Sequence, residues 1–176
     1  MGNGEHGRGT ARGQPTASSF SHDGRSSEPM ARADVPSLAF EVLEEISLTV
    51  LRHGQGPPTE PEWDGFLAAL PRPSGGLEKM RVLVVTDGGR PLREQQARLN
   101  DIIGGRSIRT AVVSSSIAVS FVVSVFALVQ PGIRGFPSSQ LGGALDYLEI
   151  NRSDRSAAES AVRRLSRDVG VCAPAG

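Results

Sequence analysis

The chain has 176 residues, the size of one ordinary domain, and its 19 basic residues balance its 19 acidic ones. Zero net charge argues against a nucleic-acid binder, which needs excess positive charge to displace counterions from phosphates. The single cysteine, Cys172, excludes an internal disulfide and a cysteine-rich zinc site, and it suits a reducing compartment. We therefore expect a cytoplasmic protein without a metal or another cofactor.

The first 33 residues are predicted to form a disordered leader. They hold six glycines, five serines and one aromatic residue, Phe20, and no apolar stretch of the kind that a secretory signal needs. Such a segment buries too little apolar surface to offset the entropy lost on ordering. A phosphorylatable or partner-binding arm is the alternative interpretation of this leader.

Residues 34–150 are predicted to fold as one α/β domain that opens with a hairpin and a helix. Residues 38–51 alternate as strands do, with a turn at Glu44-Glu45. A helix begins near Thr59, which can cap it, and Glu62 completes a capping box. Apolar residues at helical spacing then mark the buried face of this helix, namely Trp63, Phe66, Leu67 and Leu70.

Strands and helices then alternate. Residues 81–86 (RVLVVT) are a nearly continuous apolar strand, as in a strand that is covered on both faces. A helix is predicted after Pro91, and four of its side chains are expected to face the core: Leu92, Leu99, Ile102 and Ile103. The next unit is a strand over 108–113 and a helix over 117–130 that Ser114, Ser115 and Ser116 can cap.

The last predicted unit is a short strand over 133–136 and a helix capped by Ser138 or Ser139, with Leu141, Leu145 and Leu148 inward. Residues 151–170 form a C-terminal helix packed on the domain, and 171–176 are a tail. This order predicts an α/β fold with a mostly parallel sheet, an antiparallel edge hairpin and helices packed on the sheet. One stripe of the C-terminal helix is apolar and consists of Ala158, Val162, Leu165 and Val169. On the same helix Glu159 can form an ion pair with Arg163.

The segment 111–129 offers a rival interpretation, a single membrane span. It is uncharged and holds only five polar residues, all serines, at about the length that crosses a bilayer. A strand followed by a serine-capped helix explains the same residues, and the amphipathic helices on either side need a core to cover. We favour the strand and helix, and the membrane span stays open as the alternative.

The best candidate for a ligand or partner surface is the turn Asp87-Gly88-Gly89, together with Ser114, Ser115 and Ser116. Both segments follow central strands at the carboxyl edge of the predicted sheet, where open α/β sheets bind ligands. Glycines let backbone amides approach a ligand, although an aspartate cap on a tight turn explains the same residues.

No catalytic residue or metal ligand is predicted. The three histidines are His6 and His22 in the leader and His53, which we place in a loop after the hairpin, so no base is expected near the serines. The chain has no GxSxG elbow, no HExxH and no Walker lysine, and its only lysine is Lys79. We therefore expect a protein that is not an enzyme.

Three segments carry a resemblance to a known family: RVLVVTDGGRPLREQQARLN, RTAVVSSS and the GIRGF strand. Together with the order of elements over residues 38–150, they resemble the STAS or SpoIIAA-like family of small α/β domains. The resemblance implies a regulatory role through binding other proteins, and some members bind nucleotides or lipids. The family's phosphorylated serine has no counterpart here, because the matching turn reads Asp87-Gly88-Gly89-Arg90.

The function predicted from the sequence is thus a non-catalytic protein-interaction or regulatory module whose partner is another protein. A domain that binds a small ligand, a lipid or a nucleotide, is the alternative.

Overall fold

The computed structural model describes residues 35–70, 76–77, 79–115 and 132–169. The predicted leader, the predicted helix over 117–130, Ser116 and the tail lie outside these residues. The described elements are β1 (Leu38–Leu43), β2 (Leu48–His53), α1 (Glu60–Ala69), β3 (Arg81–Thr86), α2 (Arg93–Ile103), β4 (Arg109–Ser114), β5 (Ile133–Pro137), α3 (Leu141–Tyr147) and α4 (Arg155–Asp168).

The strands form one sheet in the order β1-β2-β3-β4-β5, the same as their order in the chain. β1 pairs antiparallel with β2, through a turn that includes Glu44 and Glu45 as predicted, and every other pair is parallel. The α/β class and the mostly parallel sheet with an antiparallel edge are therefore confirmed.

The two faces of the sheet carry separate hydrophobic cores. Alternate residues of β2 show the division, because Leu48 and Val50 belong to one core and Leu51 to the other. The core that contains Leu51 is closed by α1 and α2. The opposite core is closed by α3 and α4, through Leu145, Ala158 and Leu165 among others. All six residues of β2 are buried, since the strand has a neighbour on each side and helices over both faces.

The predicted capping box of α1 is present and also holds the start of β1. The Thr59 amide donates a hydrogen bond of 2.7 Å to Glu62 Oε2, and the Glu62 amide donates one to Thr59 Oγ1. The other carboxylate oxygen of Glu62 accepts a hydrogen bond of 2.8 Å from the Ser37 amide and one from the Leu38 amide. Burial acts to raise the pKa of Glu62, but these hydrogen bonds outweigh it, so the pKa lies below its ordinary value.

α1 and α2 are joined through Gln95, a buried polar residue of α2. Trp63 donates a hydrogen bond of 2.9 Å from Nε1 to the Gln95 carbonyl. The Gln95 side-chain amide donates to the Pro58 carbonyl and to Glu60 Oε1, and its oxygen accepts from the Leu92 amide. These partners satisfy the buried amide of Gln95, as a polar group in a core requires.

Two details predicted for the helices are wrong. Leu92 precedes α2 and is 48% exposed, so it does not turn inward with Leu99, Ile102 and Ile103. Ser138 and Ser139 do not cap α3, because they lie in a 3₁₀ turn over Ser138–Gln140 and no side-chain hydrogen bond caps the helix after it.

The stripe predicted for the C-terminal helix is inward, with Ala158, Leu165 and Val169 buried and Val162 packed against the core. The predicted pair of Glu159 and Arg163 is present at 3.9 Å.

The alternative membrane span begins inside the sheet. Residues 111–114 belong to β4 and pair with both β3 and β5, and the rest of that segment beyond Ser115 lies outside the described residues. Within the part of the chain that the structure describes, no helix combines the length and the apolar character needed to cross a bilayer.

Glu62→Ala is expected to lower the free energy of unfolding by about 2 kcal/mol, because it removes both the cap of α1 and the acceptor for the start of β1. Urea unfolding followed by the fluorescence of Trp63, the only tryptophan, measures this change. Glu45→Ala, at an exposed position in the hairpin turn, is the matched control and should change stability by less than about 0.5 kcal/mol. Equal losses in the two variants would contradict the role given to Glu62.

Candidate functional site

The carboxyl ends of the three central strands bring the predicted site together. His53, Thr86 and Ser114 are register partners at the ends of β2, β3 and β4, so their side chains point to the face covered by α1 and α2. Arg52 and Asp87 point to the opposite face. The sequence placed the glycine turn and the serines at one edge of the sheet, and the structure does the same for Asp87, Gly88, Gly89, Ser114 and Ser115.

Asp87 is held by a buried arginine that the sequence analysis did not identify. A side-chain nitrogen of Arg52 donates a short hydrogen bond to Asp87 Oδ2 within an ion pair. The Arg52 side chain is 6% exposed and that of Asp87 is 35% exposed. Arg52 also donates 3.0 Å and 3.4 Å hydrogen bonds to the carbonyls of His53 and Val85. A buried guanidinium needs such a partner, so the carboxylate of Asp87 neutralises the end of β2.

The backbone amides of the turn are already engaged within the protein. The Asp87 amide donates to the His53 carbonyl at 3.3 Å, and the Gly89 amide donates to the Gly54 carbonyl at 2.9 Å. The Gly88 amide donates to Thr86 Oγ1 at 3.1 Å, and that hydroxyl donates in turn to the Gly89 carbonyl at 2.8 Å. A phosphate cradle presents its amides to the ligand, whereas here all three are bonded to protein oxygens.

Gly89 lies against the loop after β2. A Cβ atom at this position would be 2.5 Å from the carbonyl oxygens of both Gly54 and Gly56, too close for any side chain. Gly88 has φ +126°, in the region that favours glycine, and a Cβ there would meet nothing within 4 Å. The two glycines therefore have different roles, close packing at Gly89 and backbone conformation at Gly88.

His53 was predicted in a loop, and the structure instead makes it the last residue of β2, only 4% exposed. Among the described residues its Nδ1 has no hydrogen-bond partner. Burial, together with the positive charge of Arg52, lowers the pKa of His53 to about 4. The imidazole is therefore neutral near pH 7.

The predicted serines differ in their surroundings. Ser114 is 4% exposed at the end of β4, and Ser115 after it is exposed. Thr86 stands between Ser114 and His53 in the row of register partners, and two strand spacings separate the serine from the histidine, about 10 Å. The row therefore does not have the nucleophile–base contact of a serine hydrolase.

An exposed segment of this edge connects the turn to α2. Arg90 and Arg93 are exposed on either side of Leu92, which is 48% exposed. Among the described residues Leu92 and Val35 are the two large hydrophobic side chains with high exposure. The carboxyl edge thus presents an apolar side chain between two arginines, on a turn held by hydrogen bonds. We call Arg90, Leu92 and Arg93 the edge patch.

No family model, no curated protein and no solved structure matches this chain.

The ion pair of Arg52 with Asp87 is expected to be coupled and mainly structural. Asp87→Asn should lower the free energy of unfolding by about 3 kcal/mol, because it leaves a buried guanidinium without its anion. The double variant Arg52→Met with Asp87→Asn should recover most of that loss, since it removes both charges. Urea unfolding of the two single variants and the double variant measures the coupling, and additive losses would refute it. Asp101→Asn, an exposed site on α2, is the control.

The low pKa of His53 predicts a loss of stability in acid. The folded state binds a proton only near pH 4, whereas the unfolded chain binds one near pH 6.5, so stability falls as the pH drops between these values. At pH 5 the free energy of unfolding should be about 2 kcal/mol lower than at pH 7 from this group alone. His53→Gln should remove that difference from the urea-unfolding curves. If the variant retains the whole pH dependence, His53 is not its source.

Proposed function

We propose that the chain is a non-catalytic protein-interaction module of the STAS type and that its partner binds the carboxyl edge of the sheet, at the edge patch. The observation that carries the proposal is the exposed Leu92 between Arg90 and Arg93, beside a turn whose amides and carboxylate are all engaged internally. An exposed apolar side chain between two arginines suits contact with a protein surface. A turn whose amides are already hydrogen-bonded is poorly suited to bind a small anion.

The chemistry of the edge patch agrees with what protein interfaces use. Interface energy is concentrated in a few side chains, an apolar group that fills a pocket on the partner and arginines that reach acidic or carbonyl oxygens. The hydrogen bonds of the turn and the close packing of Gly89 hold the segment before Leu92, so little conformational entropy is lost on binding.

The absence of catalysis is part of the proposal and rests on the geometry at the same edge. Asp87 is paired with Arg52, Thr86 is bonded to the turn, and His53 is neutral, buried and separated from Ser114 by Thr86. These groups are arranged to stabilise the ends of the strands. The element order and the VTDGG segment that resemble the STAS family add support for a regulatory interaction.

Capture of partners by the tagged protein tests the proposal. Leu92→Ser and Arg90→Glu should each reduce the recovery of a wild-type partner by more than about tenfold, the effect of losing an interface anchor. Arg163→Glu is the matched control for Arg90→Glu, since Arg163 is exposed on α4, which covers the opposite face of the sheet. Quantitative mass spectrometry of the captured proteins gives the ratios. Equal recovery by all four proteins would refute the proposed surface.

A further inference from the structure

A cleft lies at the opposite end of the sheet, where the parallel strands begin. Its volume is about 840 Å³, within the size range of small-molecule sites. Its described lining residues include three cations, Lys79, Arg81 and Arg109, one acid, Glu149, and polar groups such as Ser47 and Tyr147. This excess of cations among the described lining residues contrasts with the zero net charge of the whole chain.

Arg81 brings a positive charge to the cleft, and its hydrogen-bond acceptors among the described residues are neutral carbonyl groups. It donates hydrogen bonds of 3.2 Å and 2.9 Å to the carbonyls of Leu148 and Glu149, and a short one to the carbonyl of Ile46. Its Nε is buried and has no partner among the described residues. These carbonyls hold the guanidinium in place, and its whole charge remains available to an anion.

Arg109 stands beside Arg81 on the neighbouring strand, because the two are register partners at the starts of β3 and β4. Like charges directly opposite each other on adjacent strands are destabilising. Arg134 on β5 lies on the same face of the sheet outside the cleft lining, with its guanidinium 5.8 Å from the ring centre of the cleft residue Tyr147. The arrangement is unfavourable for the protein alone and favourable once an anion lies between the cations.

Glu149 supplies the one acid, in an unusual conformation. Its carboxylate is 2.5 Å from Arg109 and its side chain is 73% exposed. Its φ is +55°, in the left-handed region where glycine is ordinarily found after a helix. An exposed carboxylate can leave Arg109 easily, since a surface ion pair contributes little to stability. Glu149 therefore occupies the place on Arg109 that an anionic ligand group would take.

We propose that this cleft binds a small anion that carries phosphate groups, through Lys79, Arg81 and Arg109, and that Glu149 competes with the ligand for Arg109. The mobile ammonium of Lys79 and the planar guanidinium groups together suit a multiply charged phosphate. A soluble phosphate ester and a phosphorylated lipid headgroup share this chemistry. The site goes beyond the proposed protein-interaction role and shares none of the residues of the edge patch.

Calorimetric titration of the full chain with inorganic pyrophosphate at low ionic strength tests the site. Lys79→Gln and Arg109→Gln should each weaken binding by roughly tenfold, the effect of one lost charged contact. Glu149→Gln should tighten binding, because it removes the competitor. Glu159→Gln and Arg163→Gln change the net charge by the same amounts at an exposed ion pair on α4, and they should leave the affinity within about twofold.

Flotation with phosphatidylcholine vesicles, with and without a phosphatidylinositol phosphate, distinguishes the two sources. Binding of pyrophosphate alone assigns a soluble ligand, and vesicle binding that Lys79→Gln abolishes assigns a headgroup. Absence of both, or equal tightening by Glu149→Gln and Glu159→Gln, would overturn the proposal. Lys79 and Glu149 are exposed, so their variants stay informative even if Arg109→Gln fails to fold. Capture through the edge patch is measured separately and can fail without affecting this result.

Discussion

The order of the strands in the sheet is the constraint on which the rest of the fold depends. Because β2, β3 and β4 are parallel and neighbours in the chain are neighbours in the sheet, right-handed crossovers place the two helices that connect them on the same face. α1 and α2 obey this rule and close one core together. The other face must be covered by helices that come after the last strand, and α3 and α4 do so. The apolar stripe of α4 is therefore needed to complete the domain.

The two ends of the sheet are chemically different. At the carboxyl end, Asp87 neutralises Arg52 and the amides of the turn are bonded to protein oxygens, while Arg52 Nε and His53 Nδ1 are buried without a partner among the described residues. At the amino end, Arg81 and Arg109 begin adjacent strands and face a cleft whose described lining residues include one carboxylate, that of Glu149. Parallel sheets usually bind ligands at the carboxyl end. In this chain the cations at the amino end are the basis of the proposed anion site, and the edge patch at the carboxyl end is the basis of the proposed protein contact.

The features that depend on neighbours in the chain were predictable. Alternation and the apolar run gave β2 and the full length of β3, and the capping box of Thr59 and Glu62 marked the start of α1 within a residue. Leu92 was misassigned because it lies seven residues before Leu99, a spacing that fits one face of a helix. In the structure α2 begins only at Arg93, and the backbone of Leu92 is extended.

The features that depend on distant residues were not predictable. Asp87 pairs with an arginine 35 positions earlier, and no local pattern marks that arginine as buried. In the sequence Gln95 resembles a surface residue of a polar helix. It is buried in the structure because α1 packs against it. His53 was assigned to a loop because glycine and proline come soon after it, but pairing with β3 extends the strand to include it. The cleft has no sequence signal, since its cations come from the starts of separate strands.

The chain has 18 arginines and one lysine, and that lysine lines the cleft. Guanidinium groups stay protonated under ordinary conditions and react poorly with acylating reagents, whereas a lysine amine reacts readily once deprotonated. Amine-directed chemistry therefore meets a single side chain in this protein, at the mouth of the cleft. A fluorophore or a spin label attached to Lys79 would report on that end of the sheet without any engineered residue, provided that the α-amino group is blocked first.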